Sequence, residues 1–520
     1  MEKIAINGSS LTICNVVDVA RNGIEVHLSE DAIVNIQKSR HYVDKLVESE
    51  KVVYGITTGF GLLQDTVIAK EDSEQLQKNL IVSHACGIGN NLHKDIVRAI
   101  MLLRLNSLAK GYSGVRLKTM QTVVEMLNKG VVPAIPEKGS LGASGDLAPL
   151  SHMTLPLIGL GDAYYNGELM EGAKAMQLAG ITPITLTSKE GLALINGTQV
   201  MTAIGLLTVY DSLNLLKLAD IGASLTLEAL QGIQTAFRPE LHSLRPHKGQ
   251  IDTASNLLQI INESNCIVEQ NQRNNIKGKP HVQDAYSLRC VPQIHGASKD
   301  AIDYVVNKIN IEINSVTDNP IIFSDMDIAI SGGNFHGQTM ALAFDFLAIA
   351  LSEIANVSER RIERLVNPDL NDGLPAFLTQ DAGLQSGFMI AQYTAASLVS
   401  ENKVLSHPAS VDSIPSCANQ EDHVSMGTIS ARKAMEVCFN TSRVLAIELL
   451  CAVQAIDLRK NDDGETLGKG TKVAYDCIRS MVPRLEDDRE LYKDFEKIAQ
   501  LIETNKIVAT VESVVGKLRV

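Results

Sequence analysis

The chain has 520 residues, 45% hydrophobic and 21% charged, a globular balance that excludes a wholly disordered protein. Lys and Arg number 47 against 60 Asp and Glu, so the net charge of −13 has the wrong sign for a nucleic-acid binder. With no Trp and 4% aromatic residues, a stacking platform for single strands is equally poorly supported.

The opening residues, Met1-Glu2-Lys3-Ile4-Ala5-Ile6-Asn7, lack the basic-then-apolar order of a secretory signal. The eight Cys form no CxxC pair and read as free thiols of a cytoplasmic protein. The longest uncharged run, Gly191–Tyr210, carries Asn196, Thr198 and Gln199, which are expensive in lipid, so it reads as protein core and not as a membrane span.

Ile4-Ala5-Ile6 and Ile24-Glu25-Val26-His27 read as short strands within a mixed N-terminal region. Three glycines in Tyr54–Gly61 predict a loop. Val97, Met101, Leu105 and Leu108 predict a helix over Asp95–Leu108. A second Gly-rich loop, Gly139-Ser140-Leu141-Gly142-Ala143-Ser144-Gly145-Asp146, is bracketed by Pro133, Pro136 and Pro149.

Long helices follow. Leu206, Val209, Leu213, Leu216 and Asp220 trace one face with few charges, predicting a central helix. Ile302, Val305, Ile309 and Ile313 trace a second. Phe344, Leu347, Leu351 and Ile354 trace a third, and Val444, Ile447, Cys451 and Ile456 a fourth. The division along the chain is therefore 1–195 mixed, 196–458 a central helical bundle and 459–520 a C-terminal helical part.

Gly142-Ala143-Ser144-Gly145 is one residue short of a GxSxG nucleophile elbow. The twelve His show no HExxH spacing, so no metal site is expected. Four polar clusters stand in apolar surroundings: Asn196–Gln199, Gln283–Arg289, Asn334-Phe335-His336 and Asn419–His423. Each by itself reads as a cap or a turn. Together they would form a site if the fold made them converge.

The order of these blocks carries a resemblance. Gly139–Asp146 followed by Leu147-Ala148-Pro149-Leu150-Ser151-His152 resembles the signature of the ammonia-lyases that carry a methylidene-imidazolone (MIO) group. Tyr54–Gly61, Ser83-His84-Ala85, Asn196-Gly197-Thr198, Tyr286–Arg289, Gly332–His336 and Asn419–Met426 resemble further blocks of that family, in order, over about residues 50–430. The resemblance implies a mainly α fold: a long-helix bundle of the aspartase/fumarase-like kind with a mixed α/β N-terminal part. It implies loss of ammonia from an aromatic α-amino acid, a reaction that needs an electrophile no ordinary side chain supplies.

In such proteins the electrophile is made from the chain itself, with no external cofactor. The resemblance assigns it to Ala143-Ser144-Gly145, where small residues permit the sharp turn that ring closure needs. By the same resemblance Tyr54 takes the β-proton, which requires a phenol whose ordinary pKa is about 10 to be driven toward phenolate. Asn196 and Tyr286 would bond the prosthetic group or the substrate, and Arg289 would hold the substrate carboxylate. Phe335 would wall the pocket and Gln283 would bond near the ring. His84 and Glu421 would face the substrate side chain. A carboxylate there suits an imidazole N–H and so favours histidine, yielding trans-urocanate; a tyrosine ammonia-lyase or an aromatic aminomutase is the alternative. The resemblance also implies a homotetramer with sites shared between subunits.

Overall fold

The computed structural model describes residues 3–520 except 50–51, 54, 57, 60, 62–64, 67, 271, 273–280 and 460–465. Apolar residues recurring at three and four positions fold as the sequence pattern predicts. The four long faces lie on helices Gln199–Ala229, Val291–Glu312, Gln338–Val366 and Gly427–Arg459, except that Ile313 of the second falls just past its helix. Leu206, Val209, Leu216, Ile302, Phe344, Leu351 and Val444 are fully buried. Leu213 is half-buried. The helix predicted over 95–108 runs Lys94–Ala109, and from Met101 onward it is buried on every side.

The chain forms two compact units, each assembled from separated stretches. One comprises Met1–Tyr210, Val306–Asp345 and Pro408–Arg432; the other comprises Asp211–Val305, Phe346–His407 and Lys433–Val520. The first holds the named strands, all in small sheets. Ile4–Ile6 pairs in parallel with Val26–Leu28, close to the two predicted strands. Asp162–Tyr165 and Glu168–Glu171 form a hairpin through Asn166-Gly167, both at positive φ, the turn that matches strand twist. The predicted core run Gly191–Tyr210 is buried as far as Thr208 and Val209. One described helix, Gln338–Val366, is long and apolar enough to cross a membrane, but about two-thirds of that stretch is buried within the protein.

The second unit is helical among the described residues and carries a chain of charges inside its core. Asp220 accepts from Lys299 Nζ at 2.7 Å and from His295 Nδ1 at 2.8 Å. Arg361 can only donate, so its 3.3 Å contact makes His295 Nε2 the acceptor and places the ring proton on Nδ1. Arg361 then grips Glu448. Burial would raise the Asp220 pKa, but Lys299 and His295 outweigh it and hold it below the ordinary range. Burial lowers the His295 pKa, against the opposing pull of Asp220.

A histidine held below its unfolded pKa contributes stability above about pH 6.5 and loses it as the pH falls through that value, because the unfolded chain then binds the proton better. The melting temperature is therefore expected to fall between pH 7.5 and 5.5. His84, His152 and His242 shift in the same direction. His295→Gln should thus remove part of the slope, up to about 1.4 kcal/mol per pH unit. Calorimetric melts of both proteins across that range check this; identical slopes would place His295 outside the effect.

Candidate active site

Gly139–Asp146 is a loop, as its glycines predict, and it is held in a strained turn. Gly142 and Gly145 form a bridge across the turn, and Gly145 also bridges to Gly197. Ser144 lies at φ 54°, in the left-handed region that side chains other than glycine rarely adopt. Gly145, at φ 80°, packs so closely that a Cβ there would stand 2.1 Å from the Gly197 carbonyl oxygen. A Cβ on Gly142 would stand 2.3 Å from Ser425 Oγ. Only glycine fits either place, so the turn is dictated by close backbone approach.

Several groups lock this turn. Asn196 Nδ2 donates to the Ser144 carbonyl at 2.8 Å. Asn196 is 2% exposed, and its buried Oδ1 has no partner. The buried guanidinium of Arg104 donates to the Asn196 carbonyl at 2.6 Å and to Gln199 Oε1 at 2.8 Å. Burial lowers the Arg104 pKa to about 10, with Asp318 opposing. Asp146 is fully buried and accepts from Val200 N and Met201 N, both at 2.9 Å, thereby capping helix Gln199–Ala229. It also accepts from Ser140 Oγ at 2.8 Å and from Thr428 Oγ1. Arg104, Asp146 and Thr428 received no role from sequence reasoning. The available signal for Arg104 was a charge set among apolar residues in the second half of its helix, where an unpaired cation is costly.

Glu421, distant in sequence, reaches the same turn. Its Oε1 accepts from Ser144 Oγ at 2.9 Å, and its Oε2 accepts from Ser416 Oγ at 3.2 Å. The loop before it is tightly bent, with Cys417, Ala418 and Asn419 all at positive φ. Gly61 abuts that loop, since a Cβ on it would lie 2.6 Å from Cys417 Sγ. Tyr54 itself lies outside the described residues. Phe335 is half-buried, and His336 beside it bonds the His423 carbonyl at 3.2 Å, the two imidazoles stacking 5.9 Å apart.

His84 is half-buried at the end of helix Ser73–His84. Burial lowers its pKa, while the Leu80 carbonyl and the charge of Glu421 pull the other way. Ser83 Oγ gives its only proton to the Leu80 carbonyl, so at 3.0 Å it accepts from His84 Nδ1. That leaves His84 Nε2 as an acceptor. Ser144, Asn196, Glu421 and His84 are therefore brought together in the first unit.

Gln283, Tyr286 and Arg289 belong to the second unit. Gln283 is exposed, Tyr286 is 68% exposed, and the Arg289 guanidinium stacks 4.4 Å from the Tyr286 ring centre. Arg289 and Gln283 line an open cleft of about 380 Å³.

The aromatic amino acid lyase family model matches residues 11–480. The chain belongs to that family. A histidine ammonia-lyase of Alkaliphilus oremlandii is 63% identical over 515 residues, covering 99% of each chain. The crystal structure of histidine ammonia-lyase from Trypanosoma cruzi superimposes with a TM-score of 0.90 at 41% identity, covering 98% of this chain and 95% of the other. Tyrosine aminomutase from Streptomyces globisporus gives 0.94 at 39% identity, covering 100% of both. The mainly α bundle with its mixed N-terminal part is thus the fold of the ammonia-lyases and aminomutases of this family.

Proposed function

We propose that this chain is a histidine ammonia-lyase, eliminating ammonia from L-histidine to give trans-urocanate. The observation that carries the reading is the contact of Glu421 with the strained Ser144, which sets a carboxylate acceptor beside the triplet. The greater likeness to the histidine ammonia-lyase of A. oremlandii than to the tyrosine aminomutase supports the same choice of substrate.

The residues present fit a methylidene-imidazolone group made from Ala143-Ser144-Gly145. The turn is already bent, both flanking glycines are sterically required, and Asn196 presents a buried oxygen without a partner. Closure joins Gly145 N to the Ala143 carbonyl carbon. The Ala143 oxygen leaves as water with the Gly145 and Ser144 amide protons. Ser144 Oγ leaves as a second water with its own proton and the Ser144 Cα proton. When formed, the group supplies an electrophile that makes ammonia a competent leaving group.

The other assignments concern what the chain's own side chains do. Loss of Ser144 Oγ removes the donor that occupies Glu421 Oε1, freeing an acceptor for a substrate imidazole N–H. His84 Nε2 offers a second acceptor. Asn196, which donates to the Ser144 carbonyl, would hold the group at that oxygen and steady negative charge there. Tyr54 takes the β-proton. Arg289 holds the substrate carboxylate, with Tyr286 and Gln283 beside it, and Phe335 walls the pocket. The enzyme works as a cytoplasmic homotetramer with shared sites. Exposed Leu342, Phe346 and Ile349, spaced along one face of helix Gln338–Val366, support burial of that face by another copy.

Turnover of L-histidine, L-tyrosine and L-phenylalanine in separate assays tests the substrate. Ammonia and the ultraviolet absorbance of the conjugated acid are followed together. Histidine alone is expected to react. Turnover of tyrosine, or return of the amino group to the β-carbon, would transfer the assignment to the tyrosine lyases or aminomutases.

A further inference from the structure

The segment carrying Gln283, Tyr286 and Arg289 is anchored by a residue with no role assigned above. Asp284 is 6% exposed. Its Oδ2 accepts from Ile233 N at 2.6 Å and its Oδ1 from His281 Nε2 at 2.8 Å. Its carbonyl accepts from Arg289 Nε at 2.9 Å. The side chain therefore ties the segment to Ile233, distant in the chain, and braces it locally through His281, while the backbone of the same residue fixes the guanidinium.

That last bond has a geometric consequence. A guanidinium can meet a carboxylate through Nε and one Nη or through both Nη atoms. With Nε occupied, the edge formed by Nη1 and Nη2 is the one left for a bidentate partner. Stacking against Tyr286 fixes the plane of the group. We infer that Asp284 is the positioning residue for Arg289, aiming its two Nη atoms at the substrate carboxylate. The inference rests on the reading of Arg289 as the carboxylate holder.

Asp284→Asn keeps an acceptor for Ile233 but replaces the charged carboxylate facing His281 by a neutral amide, which weakens the anchor. The full-length variant is assayed with L-histidine, and with histamine, which has the imidazole and amine but no carboxylate, as an inhibitor. The expected result is a KM for histidine raised about five- to tenfold, the scale of one weakened hydrogen bond. Inhibition by histamine should stay within about twofold of the parent. A residue that only supported the fold would weaken both ligands alike, so equal weakening, or no change in either, overturns the inference. His281→Leu cuts the second anchor and is expected to give the same pattern more weakly; it decides the matter if Asp284→Asn does not fold. Arg289→Lys is the reference. If it leaves the histidine KM unchanged, the carboxylate role of Arg289 fails, and that outcome is distinct from an effect of Arg289→Lys without one of Asp284→Asn.

Discussion

Ser144→Ala is expected to abolish turnover almost completely while leaving the fold intact. In the proposed ring closure the hydroxyl of Ser144 would leave as water to create the methylidene carbon, an electrophile that alanine could not supply. No other side chain offers one, and the loss should be roughly a thousandfold or more, about 4 kcal/mol of transition-state stabilisation. The fold should tolerate the change. Ser144 is half-buried, and the turn is fixed by Gly142, Gly145 and Asn196 and not by the serine hydroxyl. Alanine forgoes the hydrogen bond to Glu421 Oε1, which the proposed ring closure would also remove.

Intact-protein mass separates the two parts of this argument. The parent should weigh less than its sequence by two waters. The variant should lack at most one, since Gly145 N can still reach the Ala143 carbonyl but alanine has no oxygen to lose. A variant of full activity, or a parent of unaltered mass, would refute the assignment of the triplet.

The helices were legible because each presents an apolar face that must be buried. Phe344, Leu347, Leu351 and Ile354 sit on one side of their helix by spacing alone, and all four are fully buried. The loop at Gly139–Asp146 was legible because three glycines so close together argue against an element interior. Its strain was not. The positive φ of Ser144 accompanies the close approach of Gly145 to Gly197, a contact between segments far apart in the chain. Nor does spacing place Glu421 on Ser144 across 277 residues; only the resemblance between ordered blocks suggested that they converge. Arg104 shows the opposite case. The spacing of Val97, Met101, Leu105 and Leu108 predicts its helix but says nothing of what a charge within it bonds. A buried guanidinium needs acceptors, and those acceptors are the Asn196 carbonyl and Gln199. The charge was therefore a pointer to the site that periodicity could not decode.

Glu448→Ala is expected to have the largest effect on stability. Glu448 is fully buried and accepts two bonds from Arg361, at 2.5 Å from Nε and 2.9 Å from Nη2. Thr226 Oγ1 and Ser358 Oγ donate to it at 3.0 and 2.6 Å. Alanine leaves the equally buried Arg361 guanidinium without its counter-charge, and removing one partner of such a pair costs roughly 3–5 kcal/mol. The remaining bond of Arg361 runs to His295, so the damage should spread to the His295–Asp220–Lys299 part of the chain. The pair itself need not be a net source of stability. Its desolvation offsets much of its attraction, so the double variant Glu448→Met with Arg361→Met should be less destabilised than Glu448→Ala alone. Thermal melts of the parent, both single methionine variants and the double variant measure that coupling. If the two single effects simply added, the charges would be acting independently. The bidentate contact would then have to be relieved by water or by movement of Arg361 toward the surface. A strongly non-additive result would identify the buried charges as one unit, which fixes helices Gln199–Ala229, Val291–Glu312, Gln338–Val366 and Gly427–Arg459 in a single register through polar complementarity where apolar packing alone would permit sliding.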